Sequence, residues 1–120
     1  FSNNSVDIYN PKFIRATQGY FYYLKIIRGD IKEFILKLKE NNYDIISTYL
    51  DNSSVNINNI ETKEKHCVIM GNEGKGVSKE IISLSNIKTI IPMSNIVDSL
   101  NVSLASGIVM YKINEKLIEK

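Results

Sequence analysis

Six residues, Gly71-Asn72-Glu73-Gly74-Lys75-Gly76, follow the apolar run Val68-Ile69-Met70 and hold the most chemistry in the chain. Glycine tolerates positive φ and leaves backbone N–H and C=O groups bare, so such a loop can hold a ligand by its main chain at close range. An ordinary tight turn between a strand and a helix would look the same. Glu73 argues for use, because a carboxylate among glycines serves no packing purpose and must be solvated, paired or employed. Neither standard phosphate loop is present. Lys75 is followed by Gly76 where a Walker loop needs Ser or Thr, and a dinucleotide loop needs a different glycine spacing. Nucleoside triphosphate hydrolysis is therefore not expected.

A second polar group, Asp98-Ser99-Leu100-Asn101, follows a second apolar run, Ile90-Ile91-Pro92-Met93. Ser99 and Asn101 read either as helix caps or as site residues. They form no nucleophile and base pair, since the one histidine, His66, starts a strand far along the chain. Cys67 reads as a small buried apolar residue. As the single cysteine it supports neither a disulfide framework nor a metal cluster, and it fits a reducing compartment.

The elements that must position these loops follow from periodicity. Asn10 is a plausible N-cap and Pro11 a first helical residue, which predicts a short helix ending at Gly19 with Lys12 and Arg15 on one face. That pair alone reads as a solvated helix surface. The aromatic and β-branched residues 20–27 predict extended structure, and their tyrosines, with Lys25 and Arg28, could be core, interface or a surface that stacks RNA bases. Ile31, Phe34, Ile35 and Leu38 recur at helical spacing over residues 31–41. Strands are expected over residues 43–50, 66–70 and 87–93, a short helix over 79–85 capped by Ser78, and an exposed polar loop over 51–65. The run at Cys67-Val68-Ile69-Met70 is continuously apolar, as in a strand covered on both faces. A last helix over 101–120 carries the stripe Val102, Ala105, Val109, Ile113, Leu117 and a small-residue face at Ser103, Ala105, Ser106 and Gly107. Strands alternating with helices predict an α/β fold with a mostly parallel sheet and helices on both faces. Both polar loops then fall at the carboxyl ends of strands, where such sheets bind ligands.

With 120 residues, 43% hydrophobic, the chain is sized for a single domain over residues 1–120. A net charge of +2 permits a polyanionic partner without requiring one. No run approaches the roughly 18 apolar residues of a membrane span, and no signal peptide is visible, so a soluble, cytoplasmic protein is expected.

Taken together, Gly71-Asn72-Glu73-Gly74-Lys75-Gly76, Ile91-Pro92-Met93 and Ser99-Leu100-Asn101-Val102-Ser103 closely resemble the second and third signature motifs of the SpoU (TrmH-like) branch of the SPOUT methyltransferases. The segment from Ser5-Val6-Asp7 to Arg15-Ala16 resembles the stretch before that family's substrate-facing helix, so the similarity runs over essentially the whole chain. The resemblance implies S-adenosylmethionine-dependent methylation of a ribose 2′-hydroxyl in rRNA or tRNA, by an α/β domain with a deep C-terminal trefoil knot. It implies that Gly71, Asn72, Gly74, Gly76, Ile91, Met93 and Leu100 hold the cofactor, that Glu73, Ser99 and Asn101 are catalytic, and that Lys12 and Arg15 face the RNA. A homodimer built partly by the last helix is also implied, and no metal.

One departure matters. The family's first motif, with the arginine implicated in activating the 2′-hydroxyl, would lie before Phe1. A 2′-hydroxyl needs a general base or a positioned cation to ease its proton loss. The expectation is therefore either an N-terminally truncated piece of a full enzyme or a reduced relative that binds RNA or dimerises without turnover. Base methylation by another SPOUT branch fits less well with the Asn-Glu and Ser-Leu-Asn combination.

Overall fold

The computed structural model describes residues 1–5, 7–72, 74–94 and 100–119. They form two compact units, Phe1–Phe34 and Ile35–Lys120.

In the first unit, Asn10 caps helix α1 (Pro11–Ala16), its side-chain oxygen accepting from Lys12 N at 2.9 Å, with Pro11 in the first turn as expected. The helix exits through Gln18 and Gly19, at φ 50° and 82°. The next residues depart from the sequence expectation: Tyr20–Tyr23 is a 3-10 turn, not a strand. Two successive left-handed residues reverse the chain, and a tight turn follows whatever the β-propensity of its aromatics. Residues 27–29 are then held by the first five. Phe1 N donates to Ile27 O at 2.8 Å, Gly29 N to Phe1 O at 3.1 Å, and Arg28 Nη1 to the carbonyls of Asn3 and Ser5. Helix α2 (Ile31–Glu40) begins here, and Asn42, two residues past its end, takes φ 63°.

The second unit carries four strands, β1 (Asp44–Thr48), β2 (Val55–Asn56), β3 (His66–Ile69) and β4 (Ile87–Ile90), in the order β2-β4-β1-β3. All pairings are parallel, as the alternation of elements predicts. Between them lie helix α3 (Lys79–Leu84), capped by Ser78, and after β4 helix α4 (Val102–Ile118). Ile46 packs with Val109 and Ile113 of α4, with Val68, Ile87, Ile91 and Leu117 around them. Period two turns Ile45 to the opposite face, where it too is fully buried, so both faces of β1 are covered. Lys39 Nζ donates to Leu84 O at 2.9 Å and ties α2 to α3. Asn86, just before β4, bonds to Ile45 in both directions and fixes where β4 enters beside β1.

Residues 51–65 are not simply an exposed loop. They contain β2 and a 3-10 turn, Ile57–Asn59, and Ile57 and Ile60 are buried in the α4 cluster. Three residues apart, the two isoleucines share one side of a turn with three residues per cycle. Lys116 of α4 donates to the carbonyls of Asn58 and Ile60, at 2.6 and 2.7 Å. Replacing it (Lys116→Met) keeps the apolar stem and strips both carbonyls of a charged donor. We expect a loss of about 1–3 kcal/mol, read as a fall of several degrees in Tm by circular dichroism, and an unchanged Tm contradicts the assignment.

β4 sits between β1 and β2, and Thr89 is level with both Thr48 and Val55. Residues 49–54 must therefore straddle β4. Thr89 holds both ends of that span: its carbonyl accepts from Tyr49 N at 3.1 Å, and its hydroxyl donates to Val55 O at 2.9 Å.

Candidate functional site

Because the sheet is parallel, β1, β3 and β4 deliver their carboxyl ends to one side. Both polar loops leave there, after β3 and β4, with the end of β1 between them. Two strand spacings separate the ends of β3 and β4 by about 10 Å, and such sheets bind ligands at the carboxyl ends of their strands.

The loop after β3 closes on itself. Asn72 and Gly76 form an antiparallel bridge, Gly76 N donating to Asn72 O at 2.7 Å and Asn72 N to Gly76 O at 3.3 Å. Asn72 Oδ1 accepts from Gly74 N at 2.8 Å and Lys75 N at 3.3 Å, so this side chain templates the turn. The glycines do different jobs. Gly76 takes φ +66°. Gly71 has no room for a side chain, because a Cβ there would collide with the Gly76 carbonyl carbon and Val77 N. At Gly74 a Cβ would meet only Asn72 Oδ1, at an ordinary 3.5 Å. Glu73 lies outside the described residues.

Across the end of β1, residues 91–94 continue beyond β4. Ile91 packs against the buried cluster, Met93 is exposed, and Leu100 is half-buried. Asp98 and Ser99 lie outside the described residues. Asn101 caps α4, Oδ1 accepting from Ser103 N at 2.9 Å. One of the two readings left open by the sequence is thereby established for Asn101. Lys12 and Arg15 are both exposed on α1, with Phe13 and Ile14 turned to the half-buried side, and belong to the first unit.

The carboxyl end of β1 itself was passed over in the sequence. Leu50 stands 74% exposed there, beside half-buried Tyr49. A central strand in a parallel sheet directs attention to its own carboxyl end. That signal was available in residues 43–50.

The remaining reactive side chains are occupied elsewhere. His66 Nδ1 donates to the carbonyls of Glu64 (2.9 Å) and Lys63 (3.2 Å) at the amino end of β3. Among the described residues no cluster of His, Cys, Asp or Glu could hold a metal ion, and no helix is long and apolar enough to cross a membrane. Burial pushes the half-buried Cys67 thiol above its ordinary value. Since the thiolate is the nucleophile, iodoacetamide should alkylate Cys67 more slowly in the folded chain than in urea at about pH 8, and equal rates contradict the packing. The sign for stability follows: the folded thiol keeps its proton to higher pH than the unfolded one. The corresponding stabilisation is complete below the unfolded value and is lost as pH rises through the folded one.

A parallel sheet with a closed glycine loop beside the carboxyl end of its central strand defines an α/β domain of the class that places ligands at strand ends. More particularly, the chain matches the SpoU rRNA Methylase family over residues 1–111 and belongs to that family. It is 36% identical over 86 residues to a tRNA (guanosine(18)-2'-O)-methyltransferase of Aquifex aeolicus, covering 72% of this chain and 41% of the relative. To a 23S rRNA (guanosine(2553)-2'-O)-methyltransferase of Bacillus subtilis it is 27% identical over 109 residues, 91% of this chain and 44% of that one. An AdoMet-bound rRNA methyltransferase from Sinorhizobium meliloti superposes with a TM-score of 0.89 at 26% identity, over 97% of this chain and 44% of the other. The chain thus spans less than half the length of these relatives.

Proposed function

We propose that the chain is the cofactor-holding part of an S-adenosylmethionine-dependent methyltransferase that acts on a ribose 2′-hydroxyl of rRNA or tRNA. The observation that carries this is the family membership, joined to relatives of both substrate types named 2'-O-methyltransferases. The site suits such a cofactor: the glycine loop follows β3, and the exposed apolar Leu50 and Met93 follow β1 and β4 at the same end of the sheet, surface for an adenine beside main-chain groups for its edge. When bound, the cofactor supplies an electrophilic methyl group.

The roles fall to this chain's residues as follows. Main-chain groups of residues 71–76 and 91–94 hold the adenosine, and Asn72 keeps the first loop closed. Asn101 fixes the start of α4 and, with Glu73 and Ser99, lines the reacting centre. Lys12 and Arg15 meet RNA phosphates. The group that eases proton loss from the 2′-hydroxyl is assigned to the family's first motif, upstream of these residues. Among the described residues β3 pairs with β1 alone, and its other edge offers a place for strands such a segment would bring.

The deep knot belongs to the same reading. The passage of β4 between β1 and β2, under residues 49–54, supports it. A homodimer through α4 is supported by the exposure of Leu104, Met110 and Tyr111, at 56%, 58% and 65%. A single domain over residues 1–120 and a cytoplasmic location complete the proposal.

Methyl transfer from labelled S-adenosylmethionine to tRNA and rRNA, by this chain and by the longest natural chain containing it, tests the reading. Nuclease digestion should yield a 2'-O-methylated nucleoside with the longer chain. A base-methylated product, or none, contradicts it.

A further inference from the structure

The 3-10 turn Tyr20–Tyr23 sorts its four rings. Phe21 is half-buried and meets Phe13 edge-on, centroids 6.2 Å apart at 72°, and Phe13 meets Phe1 in the same way at 6.4 Å and 81°. The three tyrosines turn outward, Tyr20 70%, Tyr22 76% and Tyr23 86% exposed. Neither the core reading nor the strand reading of this segment therefore uses them. An amphipathic ring normally buries most of its body, so three bare ones within four residues leave a partner still to be accounted for.

Two observations say what that partner is. The rings are already held in place: Tyr22 lies against Phe21, centroids 4.0 Å apart at 34°, and Tyr20 stands 6.4 Å from Tyr23. Held rings lose little freedom when a flat ligand settles on them. The charge is also concentrated here. Residues 1–29 contain Lys12, Arg15, Lys25 and Arg28 against Asp7 alone, a balance of +3 where the whole chain carries +2. Lys25, two residues beyond Tyr23, is exposed, as are Lys12 and Arg15.

We propose that Tyr20, Tyr22 and Tyr23 form a stacking platform for the unpaired bases of an RNA strand, with Lys12, Arg15 and Lys25 meeting its phosphates. Stacking needs the face of a base, which a duplex hides and a loop or single strand offers, so the platform selects unpaired regions over helices. It is tolerant of sequence, because every base has a π-face, and each stacked base contributes roughly tenfold in affinity. The inference rests on the RNA reading above and deepens it: it names the part of the RNA that this surface takes.

The chain has no tryptophan and seven tyrosines, three of them in the platform, so the part of tyrosine quenching that the triple variant loses reports the platform. The test is titration of the full chain with a twelve-nucleotide single-stranded oligoribonucleotide, an abasic strand of equal length and charge, and a duplex of the same sequence, each at two salt concentrations. The platform predicts that the single strand quenches tyrosine emission and binds at least roughly tenfold more tightly than the abasic strand or the duplex. It also predicts that the triple variant Tyr20→Ser/Tyr22→Ser/Tyr23→Ser, folded by circular dichroism, loses this preference while keeping salt-dependent binding to all three. Equal affinity for the single and abasic strands overturns the platform alone. No binding of any strand overturns the platform and the RNA reading together, with S-adenosylmethionine binding judged separately. Tyrosine-dependent self-association with unchanged oligonucleotide affinity in the triple variant assigns the surface to a second copy and also overturns the proposal. The wild-type comparison of strands decides the matter even if the triple variant fails to fold.

Discussion

Gly71→Ala should weaken binding of S-adenosylhomocysteine by roughly 5–150-fold, whereas Gly74→Ala should leave it nearly unchanged. A Cβ at residue 71 would come within 2.7 Å of Gly76 Cα and closer still to the Gly76 carbonyl carbon and Val77 N. These are backbone atoms that cannot swing away, so the chain at Gly76 must move. Moving it separates Asn72 from Gly76 and breaks the paired main-chain bonds that close the loop. Overpacking of this kind costs about 1–3 kcal/mol, and if the closed loop is the form that holds the cofactor, as proposed, the cost appears as a roughly 5–150-fold loss of affinity. At Gly74 the added methyl group meets a side-chain oxygen at ordinary van der Waals distance. Calorimetric titration of the two variants beside the parent chain measures the contrast. Equal affinities would mean that loop closure has no part in holding the cofactor.

The second large effect concerns Asn101, whose observed role as a cap and proposed role at the reacting centre substitution can separate. Its side-chain oxygen caps α4 through Ser103 N, and the same residue is assigned to the reacting centre. Asn101→Asp keeps a capping oxygen and removes the amide nitrogen. Asn101→Ala removes both and costs about 1 kcal/mol of stability as a lost cap. If the amide contributes to catalysis, both variants of the complete enzyme lose methyl transfer by about 10²-fold or more, while only the alanine variant melts earlier. Single-turnover methyl transfer alongside thermal melts reads the two outputs. Full activity in the aspartate variant would reduce Asn101 to a cap. Glu73→Ala, without a capping role to confuse it, should lose activity to a similar degree.

Where the sequence was informative, it was because one physical constraint dominated. The continuous apolar run at residues 67–70 holds a strand, as expected, but only Ile69 of it is buried, because β3 pairs with β1 alone among the described residues; α4 shows its buried stripe at Val109 and Ile113, whereas on α2 Ile35 is buried and Phe34 is exposed. Asn10, Ser78 and Asn101 cap helices as their types and positions predict. The expectation for residues 20–27 went wrong because propensity was read without the reversal at Gln18 and Gly19 that precedes them. Ile57 and Ile60 gave too short a pattern to reveal a core contribution, and β2, two residues long, exists only because β4 is there to pair with it.

The site shows the same division. That Gly71 to Gly76 forms a loop after a strand was legible from composition. That Gly71 is demanded by its own chain, Gly76 by φ, and Gly74 by neither, depends on how the loop closes, which residue types do not encode. Asn72 likewise resembles a ligand contact in sequence, and its oxygen proves to be engaged by the loop's own N–H groups. Leu50 carries no polar group to mark it in the sequence, and only the order of the sheet puts the end of β1 between the ends of β3 and β4.

Titration calorimetry of the parent chain with S-adenosylmethionine tests the central claim most directly. A sheet end that holds the methyl donor predicts saturable binding at one site per chain, displaced by S-adenosylhomocysteine and accompanied by a raised Tm. A folded chain that shows neither heat of binding nor a shift in Tm would contradict the account.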